Sequence, residues 1–142
     1  MSVDSTREML QGYANALLSF GDFARYMAED VTVTFMGTDR SVNGVYAARQ
    51  LITFVHQVAF KTAIQIKGAA YGDGYAMLEA EFIGTHIAEF EGIAPTNRHV
   101  RVPYSAAYDV VGNQITALRL YFPLDLLLQQ IGGVRDHVSA AV

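Results

Sequence analysis

Cysteine is absent from all 142 residues, which removes disulfides, thiolate nucleophiles and Cys-ligated metals from consideration. Basic residues are few. Ten Lys and Arg against fourteen Asp and Glu give a net charge of −4, and without a basic run the chain lacks the electrostatic footprint of a DNA or RNA binder. No apolar stretch approaches the roughly 18 uninterrupted residues of a membrane span, and the opening "MSVDSTREML" has no apolar signal core. The expectation is a soluble cytoplasmic protein with neither nucleic acid nor membrane as partner. A Gly-rich phosphate loop, a nucleophile elbow and a zinc-ligand spacing are also missing, so no cofactor and no metal are expected.

What is present is apolar bulk: 51% hydrophobic residues at this length suit one domain with a substantial core. Met9, Leu10, Tyr13, Ala14, Leu17 and Leu18 recur at three- and four-residue steps behind Ser5, with Glu8 placed as in a capping box, and predict a helix ending near Gly21. Phe23, Tyr26 and Met27 predict a second short helix. "VTVTF" alternates strictly and reads as a strand; 37–44 reads as a loop, and "VYAARQLITFVHQV" as a third helix.

From Ala63 the period is two. "AIQIKGAAY", "YAMLEAEFIG", "HVRVPYSAAYDV" and "QITALRLYF" are four strands, with turn signals at "YGDGY" and "VGNQ". Pro123 opens a last helix, stopped by Gly132 and Gly133, and 132–142 reads as a loosely held tail on a single domain spanning 1–142. The fold class is therefore α+β. Even-numbered positions carry the apolar set on all four strands, including Ile64, Ile66, Gly68 and Ala70 on the first. The odd positions carry Glu79, Glu81, Arg101, Asp109 and Arg119, a face suited to cross-strand ion pairs or a second subunit.

"GTHIAEFEGIAPTNRHVRVPY" resembles the G-T-H-x-x-E-F-x-G-I-x-P-T-x-R stretch of SnoaL-like polyketide cyclases, and "ITALRLYFPLDLLLQQIG" resembles their final strand and helix. With the order of elements, nearly the whole chain resembles the ketosteroid isomerase-like, or nuclear transport factor 2-like, superfamily. The resemblance implies a cone-shaped, curved antiparallel sheet packed against three N-terminal helices, with a short C-terminal helix and an apolar pocket between sheet and helices. It also implies a homodimer. Members use the pocket for enolisation, aldol cyclisation, epoxide opening or pericyclic ring closure, and some only bind ligands or partners. Of the family's polar stations, this sequence keeps Tyr13 on the first helix; the others fall at Phe35, Ala106 and Leu120.

The candidate catalytic residues are Tyr13, His86 and Asp39. Tyr13 is on the core-facing stripe of its helix and reads either as a hydrogen-bond donor to substrate or as a core tyrosine. His86 can move protons near neutral pH or hold the loop that follows it. Asp39 is the acid nearest the vacant base station, or a solvated turn residue. Tyr104 and Tyr108 share a strand face on either side of Ala106 and read as two substrate-binding phenols or two core tyrosines. Phe35, Ala106, Leu118 and Leu120 would shape the pocket. His56, late on the third helix, is either a surface residue or a polar lining group. His86 and His99 flank a loop and could approach each other across a hairpin, but no third ligand stands at an established spacing.

The expectation is a small-molecule isomerase or cyclase acting on a hydrophobic polyketide- or terpenoid-like substrate, in a pocket that could work by templating ring closure. The alternatives are a non-catalytic ligand-binding or partner-binding domain of the same fold, and an epoxide hydrolase.

Overall fold

A computed structural model describes residues 2–132. Helix α1, Val3–Leu18, is capped by Ser2, whose hydroxyl accepts the Ser5 N–H at 3.0 Å while Ser5 Oγ accepts the Ser2 N–H at 2.9 Å. The capping box thus lies one turn earlier than Ser5 and Glu8 suggest: Ser2 already satisfies the first-turn donors, and Ser5 serves as its reciprocal partner. At the other end Phe20, at φ 58°, takes the left-handed position. The Gly21 N–H reaches back to the Ala16 carbonyl at 2.7 Å, closing the helix three residues before that glycine.

A single 3₁₀ turn, Phe23–Tyr26, leads into strand β1, Met27–Phe35. Two strands too short to leave a periodic signal follow. Strand β2, Ser41–Asn43, lies inside the expected 37–44 loop, and β3, Phe60–Thr62, follows helix α2, Val45–Thr53. Between α2 and β3 the chain widens at Phe54–Val58 into a π-type turn, with the Ala59 N–H on the Phe54 carbonyl at 2.8 Å. Strands β4 (Gln65–Gly72), β5 (Tyr75–His86), β6 (His99–Val111) and β7 (Gln114–Tyr121) precede helix α3, Leu124–Gln130. Gly132 donates to the Gln129 carbonyl at 3.0 Å just beyond α3; the rest of the expected tail, from 133, lies outside the described residues.

The sheet runs β2-β1-β7-β6-β5-β3, with β4 also paired to β5. Every pairing is antiparallel except β1 with β7, which is parallel, so the sheet is mixed where the resemblance implied an antiparallel one. Register shifts interrupt β1–β7, β4–β5 and β6–β7. Such bulges bend strands and increase local twist, and here they accompany the curl of the sheet into a half-barrel that α1, α2 and α3 close.

One bulge overturns an expectation. Ile66 opposes Ala80, but Gly68 opposes Glu79 and Ala69 opposes Leu78. The extra residue inverts the parity of β4, so Ala69 and Tyr71 face inward, not Gly68 and Ala70. Even positions do face inward along β5, where Ala76, Ala80, Phe82, Gly84 and His86 are buried. On the outer face Arg101 pairs with Glu81 at 2.7 Å, and Arg119 holds both oxygens of Asp109 at 2.8 and 3.0 Å.

The core has two parts. One gathers Leu10, Tyr13, Phe23, Val33, Ile52 and Tyr108 beneath α1 and α2. The other gathers Phe60, Phe82, Phe90, Val102, Leu127 and Ile131 beneath α3. No helix among the described residues is long and apolar enough to cross a membrane.

Candidate functional site

Two cavities open on the inner side of the sheet. The larger, about 560 Å³, lies between β1, α2, the β5–β6–β7 wall and α3. Its interior is mostly aromatic and aliphatic, with Phe35, Phe82, Tyr104, Leu120 and Phe122 on the sheet side and Ile52 and Val55 on the helix side. A cavity of this size with few polar groups fits a small hydrophobic ligand.

The polar group projecting from the helix side is His56. It follows Ala48 and Ile52 at four-residue intervals on the buried stripe of α2. Its Nδ1 stands 2.8 Å from the Ile52 carbonyl oxygen; a carbonyl only accepts, so Nδ1 carries the proton and Nε2 keeps its lone pair. Burial in apolar surroundings lowers the His56 pKa below the ordinary histidine value, against a smaller opposing effect of the Ile52 hydrogen bond. The ring packs edge-on to Phe82 with centroids 6.0 Å apart, Phe82 meets Phe122 at 5.6 Å, and Phe122 meets Tyr104 at 5.4 Å. His56 and Tyr104 therefore stand at the two ends of one run of rings. Burial pushes the Tyr104 phenol up to about 12, so it remains a hydrogen-bond donor at neutral pH.

The mouth carries the charges. Asp39 and Arg40, on the turn after β1, line it with Glu91. Both Arg40 guanidinium nitrogens hold the Glu91 carboxylate, the NH2 group at 3.2 Å. Glu91 and Gly92 have φ of 51° and 78°, and the Phe90 and Ile93 backbones bond to each other in both directions, so 90–93 is a tight two-residue hairpin. Phe90 stacks on Phe54 at 6.4 Å. The loop tip is thus tied across the mouth by one ion pair and one ring stack.

His86 lies elsewhere. It is fully buried at the end of β5, lines neither of these cavities, and packs against Phe60 at 5.3 Å. Its Nδ1 accepts the Thr96 N–H at 3.2 Å and lies 3.0 Å from Thr96 Oγ1, which pins the two ends of the 87–98 loop together. Nε2 is then the protonated nitrogen, buried with no hydrogen-bond partner. The imagined meeting of His86 with His99 does not occur. His99 opposes Thr85 across the ladder, its Nδ1 2.8 Å from Thr85 Oγ1, so the two imidazoles leave opposite sheet faces. Among the described residues no three His, Asp or Glu side chains are grouped to hold a metal ion.

Tyr104 and Tyr108 diverge although they share a strand face: Tyr104 lines the larger cavity, whereas Tyr108 joins Tyr13 in a second cavity of about 300 Å³ between α1 and the β4–β5 ladder. The rings of Tyr13 and Tyr108 meet edge to face at 5.9 Å, and burial raises both phenol pKa values well above the ordinary tyrosine value. Ala106 and Leu118 are buried in the core between, at 1% and 3% exposure, and line neither of these cavities. The structure therefore brings Phe35, Tyr104 and Leu120 together, with Asp39 at their rim. It adds His56, which the four-residue spacing from Ala48 through Ile52 could have singled out.

A curled mixed sheet closed by three helices over an apolar cavity is also the fold of solved structures named as SnoaL-like polyketide cyclases. A candidate SnoaL-like polyketide cyclase from Jannaschia sp. CCS1 matches with a TM-score of 0.81 at 16% identity, over 90% of this chain and 92% of that one. A candidate polyketide cyclase from Xanthomonas campestris pv. campestris also gives 0.81, at 18% identity over 92% and 98%. AclR, a candidate hydroxylase from Streptomyces galilaeus, gives 0.78 at 16% identity over 92% and 98%. At such identities the likeness is one of fold. No family model and no curated protein matches the sequence.

Proposed function

We propose that this chain is a small-molecule isomerase or cyclase acting on a hydrophobic, polyketide- or terpenoid-like ketone in the larger cavity. The observation that carries the reading is His56, a neutral imidazole whose Nδ1–H is fixed on the Ile52 carbonyl while Nε2 is free to accept a proton. Such a base can take a proton from carbon next to a ketone. The C–H electron pair moves into the enolate, whose oxygen accepts a hydrogen bond from Tyr104. In a cyclisation the enolate carbon attacks a second carbonyl, and protonated His56 returns the proton to the new alkoxide. The aromatic walls hold the substrate folded, which lowers the entropic part of the barrier. Phe35 and Leu120 shape that wall, and Asp39 belongs to the entrance. Tyr13 and His86, set apart from this cavity, are not assigned a proton transfer in this reading.

The test is α-deuterium exchange of 2-tetralone in D₂O, followed by NMR. His56→Gln is expected to slow the catalysed exchange about 100-fold or more, the usual size of a general-base contribution, and Tyr104→Phe about tenfold. Binding of 2-tetralone without any catalysed exchange would instead favour a ligand-binding domain, a reading supported by the apolar side chains at Phe35, Ala106 and Leu120. An epoxide hydrolase would need paired acids, and of the two carboxylates at the mouth Glu91 is held by Arg40. The proposal includes a cytoplasmic location and a homodimer through the outer sheet face, where Tyr75, Met77 and Tyr121 are exposed beside the ion pairs. A monomeric mass in solution would sink the dimer.

A further inference from the structure

We propose that the outer face of the sheet, where β3, β5 and β6 lie side by side, binds the phosphate group of a small organic monoester. A wide hollow of about 650 Å³ lies there, open to solvent. Its titratable side chains are Lys61, His99 and Arg101, and no Asp or Glu among the described residues lines it. In a chain of net charge −4 this is a local excess of the opposite sign. Ion pairs do not cancel it. Arg101 and Lys67 share one carboxylate, Glu81, at 2.7 and 3.3 Å, and Lys61 has no carboxylate within ion-pair distance among the described residues.

Strand register makes a trough of the three groups. Lys61 opposes Thr85 and Thr85 opposes His99, while Ile83 opposes Arg101 on the next outward-facing rung. Neighbouring strands are about 4.8 Å apart, so Lys61 and His99 stand about 10 Å from each other across the shorter Thr85. Long cationic side chains thus flank a low floor of Thr85, Ile83 and Ala63. An anion above Thr85 meets Lys61 on one side and His99 and Arg101 on the other. Donors arriving from several directions match the oxygens of a tetrahedral phosphate better than the single plane of a carboxylate, and Ile83 and Ala63 offer apolar contact to the organic part.

The trough is also held in shape. Thr85 Oγ1 lies 2.8 Å from His99 Nδ1; when that hydroxyl donates, Nε2 carries the imidazole proton and is itself a donor. Beyond Ser105, which opposes the end of β7 at Tyr121, the edge of β6 is covered by α3 instead: Gln130 Oε1 accepts the Arg101 N–H at 2.8 Å and its Nε2 donates to the Arg101 carbonyl at 2.9 Å. A guanidinium has five N–H donors, so Arg101 can serve Glu81 and an anion together.

The trough is on the opposite side of the sheet from both cavities, and its failure would leave the reaction proposed for the larger one untouched. Met77, in the exposed patch proposed for the homodimer, is eight residues from Thr85 on β5, about 27 Å along an extended strand. The experiment titrates the full chain with phenyl phosphate, inorganic phosphate and phenol at neutral pH and constant ionic strength, followed by amide NMR signals. Phenyl phosphate is expected to bind saturably and to shift Lys61, Thr85, His99 and Arg101, with inorganic phosphate several-fold weaker and phenol leaving these signals in place. Lys61→Gln and Arg101→Gln, both at exposed positions, should each weaken phenyl phosphate about twofold to fivefold, the range of single ion pairs open to water, and together about tenfold. Arg7→Gln, the same charge change on α1, should leave it unchanged. Equal weakening by Arg7→Gln would show that only overall charge matters and would overturn the proposal. So would equal affinity for inorganic phosphate, shifts confined to His56 and Tyr104, or shifts that do not saturate.

Discussion

The two cavities share strand β6 and yet differ in what titrates inside them. Tyr104 faces one and Tyr108 the other, four residues apart on the same side of the strand. In the smaller cavity the two phenols are shifted upward by burial, so both stay neutral donors throughout the physiological pH range. In the larger cavity burial acts on an imidazole and shifts it downward, leaving a neutral acceptor. The same desolvation thus favours neutral donors in one place and a base in the other. The cavities also differ in support. The larger is backed by interlocked rings: Phe60 meets Phe82 at 5.4 Å, Phe90 at 5.2 Å and His86 at 5.3 Å.

The largest expected effect breaks that support. Phe60 is completely buried, and Phe60→Ala should cost about 3–5 kcal/mol of stability, read from urea denaturation. In the protein that remains folded, the Tyr13 and Tyr108 ring NMR signals should be unchanged while those of His56 and Tyr104 move. Equal disturbance of both pairs would show that the cavities are not independent.

The second effect is one of pH. Because the folded His56 pKa is lowered, the base is still unprotonated somewhat below pH 6.5, and the exchange rate should hold its plateau there before falling as Nε2 takes up a proton. His56→Gln should remove that limb. Stability moves in the same direction. The unfolded chain binds the proton first as pH drops below about 6.5, so the His56 contribution destabilises the fold progressively from there down to the folded pKa, and no further below it. A stability maximum that moves to lower pH in His56→Gln, measured by urea denaturation across this range, would support the sign.

Much of this was legible in the sequence. Long periodic segments such as α1, β5 and β6 announce themselves because burial on one face imposes a period, and the resemblance of "GTHIAEFEGIAPT" to the SnoaL-like stretch pointed to a fold that solved structures of low identity share. What escaped has physical reasons. Strands β2 and β3 are three residues long and owe their existence to partners distant in sequence. A bulge inverts parity without changing composition, so Ala69 and Tyr71 could not be told from Ala70 by alternation. His86 drew attention because the motif contains it, but its ring is spent on holding a loop. His56 sits in an unremarkable "FVHQV", and only its register with Ala48 and Ile52 turns it inward. Tyr104 and Tyr108 share one strand face, as alternation implies, yet they line different cavities, with the buried Ala106 and Leu118 lining neither.

The smallest effect expected sharpens the comparison at the mouth. The smaller cavity has no charged side chain in its lining, whereas the rim of the larger carries the Arg40–Glu91 ion pair. The Arg40 side chain is 52% exposed, and an ion pair so open to water contributes little to stability, about 0–1 kcal/mol. Arg40→Gln should therefore leave the denaturation midpoint nearly unchanged. Its consequence should be kinetic: the 90–93 hairpin keeps its own backbone hydrogen bonds but loses its anchor, so a ligand in the larger cavity should leave a few-fold faster, seen as a shorter residence time for 2-tetralone in NMR exchange measurements. An Arg40→Gln variant with the same 2-tetralone residence time would mean that the Phe54 and Phe90 rings, and not the ion pair, control the entrance.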